Sequence, residues 1–191
     1  RGASMGILNI DHPEIMDFIH AKLDGGLTNF NLSVGVTDAF MEALAKGADW
    51  PLVFNGKVHD VLPAAELWEE IVKSAHACGD PGIIFLDTIQ KSNPLPHKPL
   101  NCPNPCGEQP LLPGESCLLG SVNLARLVGP DNHIDRAKLQ EVVAIAVRFL
   151  DNLIDIAEYP LEMIAEATRA TRKIGLGFTG LADALIRAGL P

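Results

Sequence analysis

The sequence predicts an α/β fold built on a largely parallel sheet. Three observations carry that expectation. Short apolar runs alternate with stretches of helical period, clusters of turn residues separate them, and 47% of the 191 residues are hydrophobic, which suffices for a sizeable core. No internal repeat or low-complexity segment interrupts the pattern.

Residues 5–10 read as a short buried strand, and Asp11-His12-Pro13 as a turn in which Asp11 caps a helix over 14–22. Asp24-Gly25-Gly26 ends that helix. Residues 31–37 alternate as a strand, and Asp38 is expected to cap a helix over 39–46. Residues 50–61 carry Asn55-Gly56 between apolar pairs, the signature of a β-hairpin with a tight turn. Over 64–77, Leu67, Trp68, Ile71, Val72 and Ala75 fall at helical spacing, and Cys78-Gly79-Asp80-Pro81-Gly82 stops the helix. The apolar run 82–87 suits a central strand.

From 93 to 113 the prolines leave neither helical nor strand periodicity, which predicts a long ordered loop. The run around Cys117, residues 115–124, reads as a strand, followed by a turn at Gly129-Pro130-Asp131-Asn132. A long helix over 135–158 presents Leu139, Val142, Val143, Ala146, Phe149, Leu150, Leu153 and Ile154 on a broad apolar face. Helices over 161–171 and 181–188 flank the glycine-rich run 173–178.

Composition excludes several function classes. A net charge of −9 without clustered Lys and Arg argues against a nucleic-acid partner. No apolar stretch approaches the ~20 residues that span a bilayer, so no membrane partner is expected. The N-terminus lacks the basic segment and apolar run of a signal peptide. Four cysteines are too few for a secreted disulfide scaffold, which points to thiols in a reducing, cytoplasmic setting. The chain starts on Arg1 and stops at Pro191 directly after an amphipathic stretch, so a piece of a longer polypeptide, incomplete at both ends, is expected.

The chemistry concentrates in Asn101-Cys102-Pro103-Asn104-Pro105-Cys106-Gly107-Glu108-Gln109-Pro110-Leu111, where a carboxamide, a thiol and a carboxylate fall within five residues. Two prolines before Cys106 and one after Glu108 exclude a regular helix, and Gly107 lets the chain turn between thiol and acid. Cys117 follows in Glu115-Ser116-Cys117-Leu118-Leu119-Gly120-Ser121-Val122-Asn123-Leu124.

Asn-Pro-Cys-Gly-Glu-Gln-Pro-Leu with the later Cys117 closely resembles the active-site segment of ribonucleotide reductases. The resemblance extends to residues 1–19, 27–41, 81–93 and 172–190. It is nearest the class II, adenosylcobalamin (vitamin B12)-dependent branch, and Glu108 with Cys117 argues against the anaerobic class III branch. A class I large subunit working with a separate metal subunit is the alternative within the family. The resemblance implies part of a ten-stranded α/β barrel with a catalytic finger loop, covering 1–191, of which only about half could be built from this chain. It implies radical reduction of ribonucleotides, expected to be ribonucleoside diphosphates, to 2′-deoxyribonucleotides for DNA synthesis. Cys106 would be the thiyl radical, Glu108 the base at the 3′-hydroxyl, Asn104 a hydrogen-bonding group, and Cys117 half of a redox pair restored by a thioredoxin-like or other dithiol reductant. The implied partner of Cys117 lies upstream of this chain, so the chain alone is expected to be inactive; the full-length protein would be a candidate homodimer.

Other readings stand beside this one. For Cys78, at a helix end, the role of a small hydrophobe is favoured, and for Cys102 neither that role nor a chemical one wins. His97, Cys102, Cys106 and Cys117 offer a different class of function, a zinc-stabilised binding module, although zinc sites usually show two tight ligand pairs and Cys117 stands alone. Gly175-Leu176-Gly177-Phe178-Thr179-Gly180 matches the dinucleotide-binding pattern but is expected to be a decoy, explained by close backbone packing. Arg169, Arg172 and Lys173 read as favourable charge at a helix C-terminus.

Overall fold

The structure, a computed structural model, describes residues 3–100 and 102–190. Arg1, Gly2, Asn101 and Pro191, which belong to the stretches singled out above, lie outside the described residues. The chain divides into two compact units, Arg1–Leu112 and Pro113–Pro191.

In the first unit, β1 (Ser4–Asn9) leads through α1 (Ile15–His20) to β2 (Phe30–Val36). The helix crossover lets the two strands pair in parallel, in the register Ser4↔Phe30 to Asn9↔Gly35. Then come α2 (Asp38–Lys46), the hairpin β3 (Asp49–Phe54) and β4 (Lys57–Pro63), α3 (Ala64–Cys78), β5 (Gly82–Phe85) and α4 (Leu86–Lys91). β5 pairs in parallel with β2, giving the sheet order β1-β2-β5.

Because β2 is the middle strand, Leu32 to Val36 are buried throughout, polar Ser33 included. The core gathers Val34 and Val36 with Ile15 and Ile19 of α1, Phe40 of α2, Leu52 of β3, and Leu67 and Ile71 of α3. Each such side chain contributes roughly 1.5–3 kcal/mol by leaving water. Phe40 meets Trp50 edge to face at 5.3 Å. Asn55 and Gly56 close the β3–β4 hairpin with positive φ at both positions, as the sequence predicts.

In the second unit, β8 (Leu118–Asn123) runs into a 3₁₀ turn (Leu124–Leu127), then α5 (Arg136–Ile156), α6 (Glu162–Thr171), β9 (Ile174–Thr179) and α7 (Leu181–Ala188). β8 and β9 pair in parallel from Leu118↔Ile174 to Asn123↔Thr179. Two further two-residue strands, β6 (Cys102–Pro103) and β7 (Pro110–Leu111), belong to the first unit.

The mixed α/β class holds. Among the described residues the strands form four separate sheets, none of which closes on itself. No described helix is long and apolar enough to cross a membrane.

Several local expectations are corrected. Asp11 does not cap α1, whose N-cap position is Glu14 without a side-chain cap; the Glu14 N–H is taken instead by His12 Nδ1 at 3.1 Å. Thr37, not Asp38, caps α2, its Oγ1 accepting from the Phe40 N–H at 3.2 Å. Thr37 keeps extended backbone, as a cap requires, while Asp38 sits in the first turn, where its charge suits the helix dipole. The apolar run at 82 ends as a strand at Phe85, because Leu86 already opens α4, and among the described residues it pairs with β2 alone, at the edge of its sheet rather than its centre. The loop over 93–113 contains the hairpin β6–β7. Finally, β8 begins at Leu118, so Cys117 precedes the strand rather than lying in it.

Candidate active site

β6 and β7 pair antiparallel, Cys102 with Leu111 and Pro103 with Pro110, and carry residues 104–109 as a tight tip. Prolines are tolerated in strands this short because few ladder bonds are needed. The tip is tied to itself. The Asn104 N–H donates to the Gln109 carbonyl at 3.2 Å, the Gly107 N–H closes a turn onto the Asn104 carbonyl at 2.9 Å, and the Gln109 N–H donates to Asn104 Oδ1 at 3.0 Å. Gly107 sits at φ +87°, a conformation that side-chain-bearing residues rarely adopt. The thiol and the carboxylate are thus set on either side of a turn that glycine makes possible.

Asn104, Cys106 and Glu108 therefore share one short, internally bonded loop, with Cys106 and Glu108 exposed. An amide N–H needs an oxygen, so the bond from Gln109 fixes which end of the Asn104 carboxamide faces the loop. That leaves Nδ2 as the donor for a ligand.

The tip is also tied to the sheet. Asn31, at the start of β2, donates from Nδ2 to the Pro105 carbonyl at 2.6 Å, one residue before Cys106. Asn31, Ser33, Asp80, Pro105, Cys106 and Gly107 line a cavity of about 380 Å³. The Asp80 carboxylate there is compensated: Lys22 Nζ lies 2.5 Å from one oxygen, and the Leu32 N–H donates to the other at 3.2 Å. A ligand carrying negative charge meets a neutral pair rather than a bare acid.

Cys102 has different surroundings. With Ile84, Leu86, Ile89 and Leu100 it lines an apolar pocket, and burial pushes its thiol pKa up, which suppresses the thiolate. Cys78 is exposed at the end of α3 and donates to the Ser74 and Asp80 carbonyls, both at 3.3 Å.

Cys117 lies in the second unit, half-buried. The two residues before it are held firmly. Glu115 Oε2 lies 2.7 Å from Lys173 Nζ, with the Glu115 side chain 0% exposed. Ser116 donates its N–H to Thr168 Oγ1 at 3.0 Å, and the two hydroxyls are also 3.0 Å apart. In the same unit Arg172 ends α6 in the left-handed region and reaches Asp151 Oδ1 and Asp155 Oδ1 of α5, both at 2.7 Å. Arg172 and Lys173 are thus ion-pair partners rather than only a charge at a helix end.

Asn31, Thr168 and Lys173 were not singled out as site residues in the sequence. A lone Asn in an alternating strand and a Thr inside a helix carry no local signal, because their partners are 74 and 52 residues away.

The glycine-rich run takes a form that a dinucleotide turn does not. Gly175 and Gly177 lie inside β9, and only Gly180, at φ +68°, stands at the strand-to-helix turn. A Cβ on Gly180 would come within 2.5 Å of Asn123 Oδ1, so close packing accounts for that glycine. Among the described residues, no three His, Cys, Asp or Glu side chains gather where they could hold a metal ion.

Comparison with known proteins places the chain among close relatives. The family described as "Ribonucleotide reductase, barrel domain" matches residues 1–191. The chain is 52% identical to a vitamin B12-dependent ribonucleoside-diphosphate reductase of Mycobacterium tuberculosis, over all of this chain and 28% of that protein. It is 47% identical to a protein of the same description from Thermoplasma acidophilum, over all of this chain and 26% of that protein. A vitamin B12-dependent ribonucleotide reductase of Streptomyces coelicolor is 33% identical over 99% of this chain and 23% of that protein. The chain thus spans about a quarter of the length of these relatives.

Proposed function

Since the chain belongs to the ribonucleotide reductase barrel-domain family, we propose that it is part of the catalytic barrel of a vitamin B12-dependent enzyme that reduces ribonucleoside diphosphates to 2′-deoxyribonucleotides. The parallel strands β1, β2, β5, β8 and β9 are then about half of a ten-stranded barrel that the rest of the protein completes. The tip over 104–109 is its finger loop. The observation that carries this reading is the exposed Cys106 at the lining of a cavity, on a loop that also carries Asn104 and Glu108 and is tied to itself and to β2.

Removing a 2′-hydroxyl requires breaking an unactivated C–O bond, which becomes feasible once the neighbouring carbon is a radical. Cys106, as a thiyl radical, takes the hydrogen from C3′: an S–H bond forms, the C3′–H bond breaks, and the unpaired electron moves to C3′. Those bonds are similar in strength, so the hydrogen can be handed back. Glu108 takes the 3′-hydroxyl proton as general base, and Asn104 donates to substrate hydroxyls. The 2′-hydroxyl leaves as water. Cys117 and a second thiol together supply two electrons and two protons and become a disulfide, and Cys106 then returns its hydrogen to C3′. The sum is one ribonucleotide and two thiols going to one deoxyribonucleotide, one disulfide and water. A thioredoxin-like dithiol restores the pair by exchange.

Adenosylcobalamin, when bound, supplies the radical that oxidises the Cys106 thiol. The residues present fit that chemistry at the thiol itself, which is exposed as a radical donor requires. No described residue is assigned to hold the corrin. The location that suits reduced thiols is the cytoplasm.

The test uses the full-length protein with a ribonucleoside diphosphate, a dithiol and adenosylcobalamin. Deoxyribonucleotide formation that depends on the cobalamin supports the reading. Turnover only after addition of a separate metal-bearing subunit would move the protein to class I.

A further inference from the structure

The strongest unabsorbed feature is the way α6 and the start of β9 grip the two residues before Cys117. Thr168 is completely buried, and its hydroxyl meets both the N–H and the hydroxyl of Ser116 at 3.0 Å. Lys173, 14% exposed, lies 2.7 Å from the fully buried Glu115 carboxylate. On the other side of Cys117, Leu118 enters the parallel ladder opposite Ile174. Burying a hydroxyl or a charge is costly unless it is matched, so these contacts are held together by their own burial.

We propose that Thr168 and Lys173 are positioning residues for the thiol of Cys117. Thr168 holds the Ser116 N–H and Lys173 anchors the Glu115 side chain, so that only the Cys117 side chain moves as it passes between thiol and disulfide. A disulfide tolerates only a narrow range of Cβ separations, so a backbone that wanders slows both its formation and its reduction. The proposal rests on the reading of Cys117 as a redox cysteine.

The experiment is carried out in the full-length protein. Thr168→Val keeps the shape and removes the hydroxyl; Thr168→Ser returns it. Ser116→Ala keeps the backbone bond and removes one hydroxyl contact, and it decides the matter should Thr168→Val fail to fold. In the reduced protein, iodoacetamide labelling of Cys117 should be faster in Thr168→Val by about five- to tenfold, the rate equivalent of one lost hydrogen bond. Labelling of Cys106 should be unchanged. In turnover with a dithiol, kcat should fall by a similar factor while KM for the nucleotide stays constant. Thr168→Ser should restore both readouts, and Ser116→Ala should shift both in the same direction by less.

Wild-type labelling and kcat in Thr168→Val and Ser116→Ala would overturn the proposal. So would a Thr168→Ser variant as impaired as Thr168→Val, since packing rather than the hydroxyl would then be at work. Failure of the underlying reading has its own sign, a wild-type protein that forms no deoxyribonucleotide, and would overturn the proposal with it.

Discussion

The side chain of Asn31 donates to the carbonyl of Pro105 at 2.6 Å, joining the start of the middle strand β2 to the residue that precedes Cys106. The bond spans 74 residues of chain and ties the loop that carries Cys106 to the most buried strand of the sheet.

If that bond holds the thiol in register, Asn31→Ala lowers turnover of the full-length protein by up to about tenfold, the effect of one good hydrogen bond on a barrier. Nucleotide binding stays as in wild type. Asn31→Asp is at least as impaired, because a carboxylate cannot donate and repels the carbonyl. Steady-state kinetics beside a nucleotide-binding titration checks this, and an unchanged kcat in both variants would contradict it.

Cys102 and Cys106 stand four residues apart with opposite surroundings. Burial holds the Cys102 thiol pKa up, whereas Cys106 is exposed. In the unfolded chain the two would behave alike, so alkylation at mildly alkaline pH followed by peptide mass spectrometry reads the folded environment directly. Cys106 labels first, and Cys102→Ala retains turnover. Faster labelling of Cys102 would show that the apolar pocket around it is open.

Arg172 holds the Asp151 and Asp155 carboxyls below the usual carboxylate range, chiefly through its hydrogen bonds to them. Because the folded pKa values are depressed, the stabilisation is fully present above the unfolded value of ~3.9 and is lost as pH falls through the folded values. Arg172→Met therefore lowers Tm at neutral pH, and the gap to wild type narrows as the carboxyls protonate. A gap independent of pH would mean that the loss comes from packing.

Thr37 caps α2 through its hydroxyl, and α2 carries Phe40 into the core of the first unit. Thr37→Ala should cost about 1 kcal/mol in denaturant unfolding, and Thr37→Ser much less. Equal losses in the two variants would assign the effect to the methyl group.

Much of this was legible in the sequence. The hairpin at Asn55-Gly56, the helix beginning at Ala64 and the last helix at Leu181 announce themselves through turn chemistry and periodicity that act over a few residues. That Asn104, Cys106 and Glu108 share one short loop was legible for the same reason, since they fall within five residues of chain. Contacts between distant segments were not. Thr37 does not stand out as a cap in the sequence, because the neighbouring Asp38 is an equally good candidate by type and only the extended backbone at Thr37 separates them. β6 and β7 were invisible because two residues show no period and both strands carry proline. The grip of Thr168 and Lys173 on the segment before Cys117 needs the tertiary fold to exist at all.

The most direct test of the central claim is deoxyribonucleotide formation by the full-length Cys106→Ser protein, with nucleotide binding and melting measured on the same sample. Serine preserves size and hydrogen bonding, but its O–H bond is too strong to be broken homolytically in place of S–H. The account predicts a folded protein that binds nucleotide and makes no product. Measurable turnover by Cys106→Ser would contradict it.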